Sequence, residues 1–131
     1  MGDFAINRES ATTHLGFGTT SGVNDNQEGA TNVDNNQWHH AAIVYDNTKK
    51  VIYVDGVQNA TRSYALTIDQ NNEPVAIGRN SESTTGGQRF WHGDIDEVRI
   101  SGIARAPAWI GAEYVTATNA AFVVIGADQR Y

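Results

Sequence analysis

The chain has no cysteine among its 131 residues. This absence excludes disulfide bonds, cysteine-ligated zinc sites and thiol nucleophiles together. A chain of this length buries roughly two-thirds of its unfolded surface on folding, so a hydrophobic core can hold it without a covalent cross-link. The length predicts a single domain over residues 1–131, because domains commonly have about 100–200 residues.

Basic residues are scarce as well. Nine Lys and Arg stand against fifteen Asp and Glu, which gives a net charge of -6 at pH 7. Nucleic-acid-binding surfaces need a basic patch or stripe, and here the basic residues are scattered. The composition therefore argues against a nucleic-acid partner. Solubility is the favoured explanation of the acidity, and cation binding is the second.

Long apolar runs are missing too. No window approaches the roughly 18 consecutive apolar residues of a membrane span, so we expect no membrane insertion. Residues 1–9 lack the basic and apolar regions of a signal peptide. If the parent protein is exported, its signal lay upstream or has been removed.

What the chain does contain is a series of short alternating apolar and polar runs, separated by Gly, Asn and Asp. Such runs predict about eight or nine β-strands and an all-β antiparallel sandwich. Asp55-Gly56 is the sharpest local signal, because a type I′ hairpin turn needs positive φ at both central residues. The predicted strands cover residues 3–8, 14–19, 38–46, 50–54, 57–61, 64–68, 75–79, 90–100 and 121–126, with a shorter run at 29–33.

The pattern changes after residue 100. Pro107 suits the first turn of a helix, and a helical period extends to about Val115. Ile110 and Tyr114 are four residues apart, so they would share one face against a sheet. We therefore predict one short C-terminal helix on the sandwich.

Residues 90–100 combine aromatic, acidic and β-favouring side chains. On a strand, Asp94 and Asp96 would share one face because side chains alternate. Two carboxylates at the mouth of a strand suit a metal site at a sheet edge. The same layout is also typical of a strand that leaves a core for solvent.

Four motifs stand out in the chain: Trp38-His39-His40-Ala41-Ala42, Tyr53-Val54-Asp55-Gly56-Val57, Val75-Ala76-Ile77-Gly78-Arg79 and Gly93-Asp94-Ile95-Asp96-Glu97-Val98-Arg99-Ile100. In order and spacing they resemble laminin-G-like domains of the concanavalin A-like jelly rolls. Residues 104–114 and 122–126 are similar to the bacterial subgroup. The resemblance implies a jelly roll at the cell surface or outside the cell. It leaves the function open, because this fold carries lectins, adhesion modules and glycanases.

The resemblance also implies a role for Asp96, since related jelly rolls often use an aspartate here to hold a structural Ca2+ ion. Calcium takes six to eight oxygen ligands, and the early residues that would complete the shell are missing. A structural acid that accepts hydrogen bonds is therefore the favoured role. His39 and His40 point to opposite faces of a strand, so only one could join a given zinc site.

Aromatic side chains point to sugar binding. We predict Trp38 and Trp109 in the core or under the helix. Trp91, beside the Gly86-Gly87 loop, is the only tryptophan considered for exposure, although aromatic residues of a sandwich more often lie in the core. The predicted ligand-binding residues are Arg89, Trp91, His92 and Asp94.

Catalysis is not expected. Retaining glycoside hydrolysis needs two carboxyl groups about 5–5.5 Å apart across a cleft, and Val98 or Arg99 stands where a third acid of such a motif would fall. The sequence predicts a non-catalytic binding or adhesion module for carbohydrate or an extracellular protein surface. A self-assembly domain without a small ligand is the alternative, and a degenerate glycanase is the least favoured.

Laminin-G-like domains usually begin with strands that precede anything equivalent to residues 3–8. A sheet that lacks its first strands exposes unpaired edges and an apolar face. We therefore expect a homodimer or larger assembly, measured as solution mass by light scattering. A mass equal to one chain would contradict this expectation.

Overall fold

The computed structural model describes residues 5–8, 12–19, 26–65, 68, 75–79, 90–119 and 121–122. In these ranges it contains six strands and one helix. The strands form two antiparallel sheets of three, in the orders β1-β2-β3 and β4-β5-β6. The elements are β1 (Ala5–Arg8), β2 (Leu15–Gly18), β3 (Gln27–Glu28), β4 (Ala41–Tyr45), β5 (Lys49–Val54), β6 (Val57–Ser63) and α1 (Pro107–Thr118).

The two sheets pack against each other through β2 and β5. Leu15 and Phe17 of β2 form one buried cluster with Ile52 and Val54 of β5. The members of each pair are two residues apart, so they project from the same face of their strand. Burying a side chain of this size stabilises the fold by about 1.5–3 kcal/mol relative to leaving it exposed. The predicted all-β sandwich with one C-terminal helix is confirmed.

The opposite face of β5 packs against the helix. Val51 and Tyr53 form a second buried cluster with Ile110 of α1. Burial on both faces explains why β5 contains an unbroken apolar run, which is typical of strands covered on two sides. The helix begins at Pro107, as predicted, and extends to Thr118.

Lys50 is fully buried on the β5 face that meets the first sheet. Its Nζ lies 4.1 Å from the ring centre of Tyr64 and 5.1 Å from that of Phe17. The same nitrogen lies 3.5 Å from the Phe17 carbonyl oxygen. A desolvated cation over an aromatic face gains about 2 kcal/mol, which helps to offset the cost of burying a charge.

The turn between β5 and β6 has the predicted geometry. Asp55 and Gly56 have φ of 52° and 76°, as a type I′ turn requires. The Asp55 carboxylate also accepts a hydrogen bond from the His40 backbone N–H at 3.0 Å, and its other oxygen lies 2.9 Å from His39 Nδ1. The tandem histidines therefore fix the start of β4 to this turn. The His40 ring lies 6.1 Å from that of Tyr114 on the helix.

Asn59 joins β6 to the loop that follows β3. Its Oδ1 accepts hydrogen bonds from the backbone N–H groups of Ala30 at 2.6 Å and Thr31 at 3.4 Å. Its Nδ2 donates to Thr31 Oγ1 at 2.5 Å. Asn59 is the first residue of a formal glycosylation sequon, and in this fold its amide is used to hold the loop.

Two predicted strands are wrong. Residues 75–79 and 90–100 are described throughout, and neither range contains a strand. Their alternation is suited to a strand, but a strand also needs a hydrogen-bonded neighbour. Glu97 has a φ of 54°, which interrupts the extended conformation.

Other boundaries moved. The strand predicted at 38–46 is confined to β4, and the short strand expected near 29–33 lies at β3 instead. The strand predicted at 64–68 is not formed at Tyr64 or Ala65. Residues 66–67 and 123–126, which belong to predicted strands, lie outside the described residues.

Replacing Gly56 with alanine should destabilise the protein by about 2–4 kcal/mol, measured by urea unfolding. Alanine costs about 1–2 kcal/mol in the left-handed region, and overpacking adds about 1–3 kcal/mol. The overpacking arises because a Cβ at Gly56 would lie 2.9 Å from Tyr114 Cβ. Gly102→Ala is the control, since its Cβ would meet nothing within 4 Å. An equal loss of stability in both variants would show that the contact between Tyr114 and the Gly56 turn does not matter for the fold.

Candidate ligand-binding surface

Residues 90–106 form an irregular segment on the surface. Its large apolar side chains are exposed, and four of them (Ile95, Val98, Ile100 and Ile103) are 45–64% accessible. The backbone N–H of Trp91 donates to the Gly78 carbonyl at 2.8 Å, which ties the start of the segment to residues 75–79. The segment therefore presents side chains to solvent instead of alternating between core and surface.

Three of the four predicted ligand-binding residues lie on this segment. Trp91, the tryptophan considered for exposure, is 40% exposed, and His92 and Asp94 are exposed beside it. Gly93, with a φ of 147°, lets the chain turn close to the indole, because a Cβ there would lie 3.2 Å from Trp91 Nε1. Arg89, the fourth predicted residue, lies outside the described residues.

The two carboxylates predicted at a sheet edge are on an open surface. Asp94 and Asp96 are both exposed, and Asp96 Oδ1 accepts a hydrogen bond from the Glu97 backbone N–H at 2.8 Å. Among the described residues, no group of three or more His, Cys, Asp or Glu side chains could hold a metal ion. Calcium takes six to eight oxygens, so the described residues do not fit this ion, and Asp96 as its ligand stays a prediction.

The predicted burial of Trp38 and Trp109 is wrong. Trp38 is 71% exposed and Trp109 is 49% exposed. Trp38 precedes the first residue of β4, so the sheet does not cover it. On α1, Ile110 faces the sheet, and a neighbour in sequence is rotated from it by about 100°.

Trp109 lines a groove that the sequence reasoning missed. Four of its lining residues share one face of α1, since Trp109, Ala112, Glu113 and Thr116 stand at positions i, i+3, i+4 and i+7. Arg99 lines it as well. The groove has a volume of about 230 Å3. The signal in the sequence was the position of Trp109, one residue before the buried Ile110.

Arg99 connects the exposed segment to the helix. Its Nη1 donates to Glu113 Oε1 at 3.3 Å and its Nη2 to Glu97 Oε2 at 2.7 Å. The hydrogen bond that Arg99 donates to Glu97, followed by the one to Glu113, raises the pKa of Arg99 above its ordinary value. Exposed ion pairs contribute little to stability, so these contacts orient the side chains more than they stabilise the fold.

Arg105 packs against the indole of Trp109. Its guanidinium carbon lies 4.7 Å from the centre of the Trp109 ring, within the range of a cation–π contact. Arg105 does not line the groove. The guanidinium therefore restricts the indole without filling the groove.

The family of the chain follows from comparison with known proteins. Residues 2–111 match the laminin G family model described as the concanavalin A-like lectin/glucanases superfamily. This match covers most of the chain, and it agrees with the two-sheet sandwich. The chain therefore belongs to the laminin G-type concanavalin A-like superfamily. Among proteins of curated function, none matches it significantly.

One solved structure is similar in fold. It is the crystal structure of an S-layer domain-containing protein (residues 221–444) from Clostridium thermocellum, with a TM-score of 0.51 and 16% sequence identity. The alignment covers 86% of the present chain and 63% of the other. At this identity the likeness concerns the fold alone. No helix in the described part of the chain is long and apolar enough to cross a membrane.

Calcium removal tests the role of Asp96. We expect the melting temperature to be the same with calcium and with a chelator, because the described residues supply too few ligands. Asp96→Ala should cost about 0.5–1.5 kcal/mol, the value of one hydrogen bond, and Asp94→Ala is the matched exposed control. A calcium-dependent rise in melting temperature that Asp96→Asn abolishes would instead establish Asp96 as a ligand.

Proposed function

We propose that this chain is a non-catalytic module that binds carbohydrate at the cell surface or outside the cell. One observation carries the proposal: the surface formed by residues 90–106 and α1 exposes two indoles among polar and charged side chains. Trp91 stands beside His92 and Asp94, and Trp109 stands beside Arg99. An exposed aromatic face rimmed by hydrogen-bonding groups suits a sugar ring, which has an apolar face and a hydroxylated edge.

Membership of a superfamily described by its lectins and glucanases supports the substrate class. Between these two activities, the carboxylates favour binding. Retaining and inverting hydrolysis both need two carboxyl groups that flank the scissile bond from opposite sides. Asp94 and Asp96 instead lie on an exposed segment that belongs to neither sheet in the described residues, so no strand holds them across a cleft. The extracellular location rests on the same family membership.

A second candidate function is self-assembly, or recognition of a protein surface, through the same segment. The observation in its favour is the set of exposed apolar side chains at Ile95, Val98, Ile100 and Ile103, which belong to neither sheet in the described residues. Exposed edges and apolar patches promote pairing between chains. The acidic charge of the chain, -6 at pH 7, opposes close contact between copies.

The binding function can be tested with insoluble bacterial polysaccharides and a glycan array. We expect the wild-type chain to be retained by at least one polysaccharide. Trp91→Ala should reduce retention several-fold, because truncation removes a stacking surface. Trp38→Ala is the matched control, since Trp38 is also exposed but lies outside residues 90–106.

Two results would contradict this proposal. Equal losses for Trp91→Ala and Trp38→Ala would show that the exposed segment is not special. Failure of the wild type to bind any glycan, together with a concentration-dependent mass in light scattering, would favour self-assembly.

A further inference from the structure

We propose that the groove between α1 and Arg99 is a subsite for one uncharged pyranose ring, stacked on Trp109. The inference rests on the proposed carbohydrate binding and deepens it, because it names the size, the charge and the contact residues of the sugar. It assigns the groove a role distinct from that of Trp91, which lies at the start of the exposed segment.

The indole of Trp109 is already positioned before a ligand binds. It is half exposed, it lies in the first turn of a helix, and Arg105 packs over it at 4.7 Å. A ligand therefore meets a ring whose position is already restricted from the side that Arg105 covers. Pre-positioned aromatic groups bind with less loss of conformational entropy than mobile ones.

Beside the indole, Ala112 and Thr116 give the groove a mainly apolar surface. Ala112 presents only a methyl group. The Thr116 hydroxyl donates to the Ala112 carbonyl at 2.7 Å, so this hydroxyl is occupied by the helix backbone. The apolar face of a sugar ring suits this surface, whereas a ligand that is polar on all sides would find too few hydrogen-bond partners there.

Hydrogen-bonding groups stand at the rim. Arg99 supplies N–H donors and Glu113 supplies carboxylate acceptors, and the two side chains lie 3.3 Å apart. Neighbouring hydroxyls of a pyranose both donate and accept, so they can bridge such a pair. The ion pair is exposed and weak, so its rearrangement around a ligand costs little.

The dimensions of the groove limit the ligand to one ring. Its volume of about 230 Å3 is below the roughly 300–1,000 Å3 of sites that enclose larger small molecules. A longer glycan would place one residue here and continue along the surface.

The balance of charged side chains at the groove favours an uncharged sugar. The charged side chains at the groove and its border are Arg99 and Arg105 against Glu97 and Glu113, so they balance. The chain as a whole is acidic. A uronate or other anionic sugar would find no excess of positive charge, and a neutral hexose loses nothing by its absence.

The test is a heteronuclear NMR titration of the whole chain that follows the indole N–H signals of its three tryptophans. The probes are the methyl glycosides of glucose, galactose and mannose, N-acetylglucosamine and, for comparison, glucuronate. A single-ring site is expected to show a dissociation constant on the order of 1 mM. At least one neutral sugar should shift the Trp109 signal saturably and leave that of Trp38 unchanged.

Two variants localise the binding. Trp109→Ala should raise the dissociation constant at least tenfold, measured from the backbone amide signals of α1 because this variant lacks the Trp109 indole. Ala112→Leu should do the same by filling the groove with a good helix former. Circular dichroism checks that both variants are folded, and Ala112→Leu keeps the test valid if Trp109→Ala is not. Trp38→Ala is the matched control and should bind as the wild type does.

Several results would overturn the subsite. One is saturable sugar binding that neither Trp109→Ala nor Ala112→Leu weakens, which would leave the proposed binding function intact at another site. Another is a stronger response to glucuronate than to any neutral sugar. A shift of the Trp109 signal with protein concentration alone would assign the groove to a second copy. Retention on polysaccharide without any response of Trp109 would also refute the subsite, whereas loss of both would refute the proposed function as well.

Discussion

The structure depends on the burial of β5 on both of its faces. Strand β5 is hydrogen-bonded to β4 on one side and to β6 on the other, while Ile52 faces the first sheet and Val51 faces α1. Only an apolar or a fully satisfied side chain is tolerated in such a position. Lys50 meets this requirement through the Phe17 carbonyl and the surrounding rings, so a charged residue takes part in joining the two sheets.

The elements predicted correctly are those whose signals are local. The Asp55-Gly56 turn could be predicted because positive φ is a property of two adjacent residues. The helix could be predicted because Pro107 and the spacing of Ile110 and Tyr114 are local as well. Residues 90–100 have an equally clear alternation, but strand formation there required a neighbour from elsewhere in the chain, and this pairing cannot be inferred from the segment itself.

The candidate site likewise has local features, which could be predicted, and long-range features, which could not. The glycine-rich surroundings of Trp91 mark it as the candidate for exposure, and its side chain is exposed. The groove at Trp109 was missed because Arg99 and Glu113 are fourteen residues apart and meet only in the folded chain. Residue type alone predicts a buried Trp109, whereas its position relative to Ile110 on the helix determines its exposure.

The seating of Tyr114 on the Gly56 turn links two distant parts of the molecule. The groove exists only while α1 is docked, because its walls are the helix and Arg99. Any ligand that binds the groove and not the undocked helix stabilises docking, by about 2.7 kcal/mol at a hundredfold excess over its dissociation constant. Since Tyr114 rests on Gly56 and His40, occupancy would slow the local opening of the hairpin turn. Hydrogen exchange at that turn would therefore report ligand binding in the groove, although the side chains that link the two do not contact the ligand.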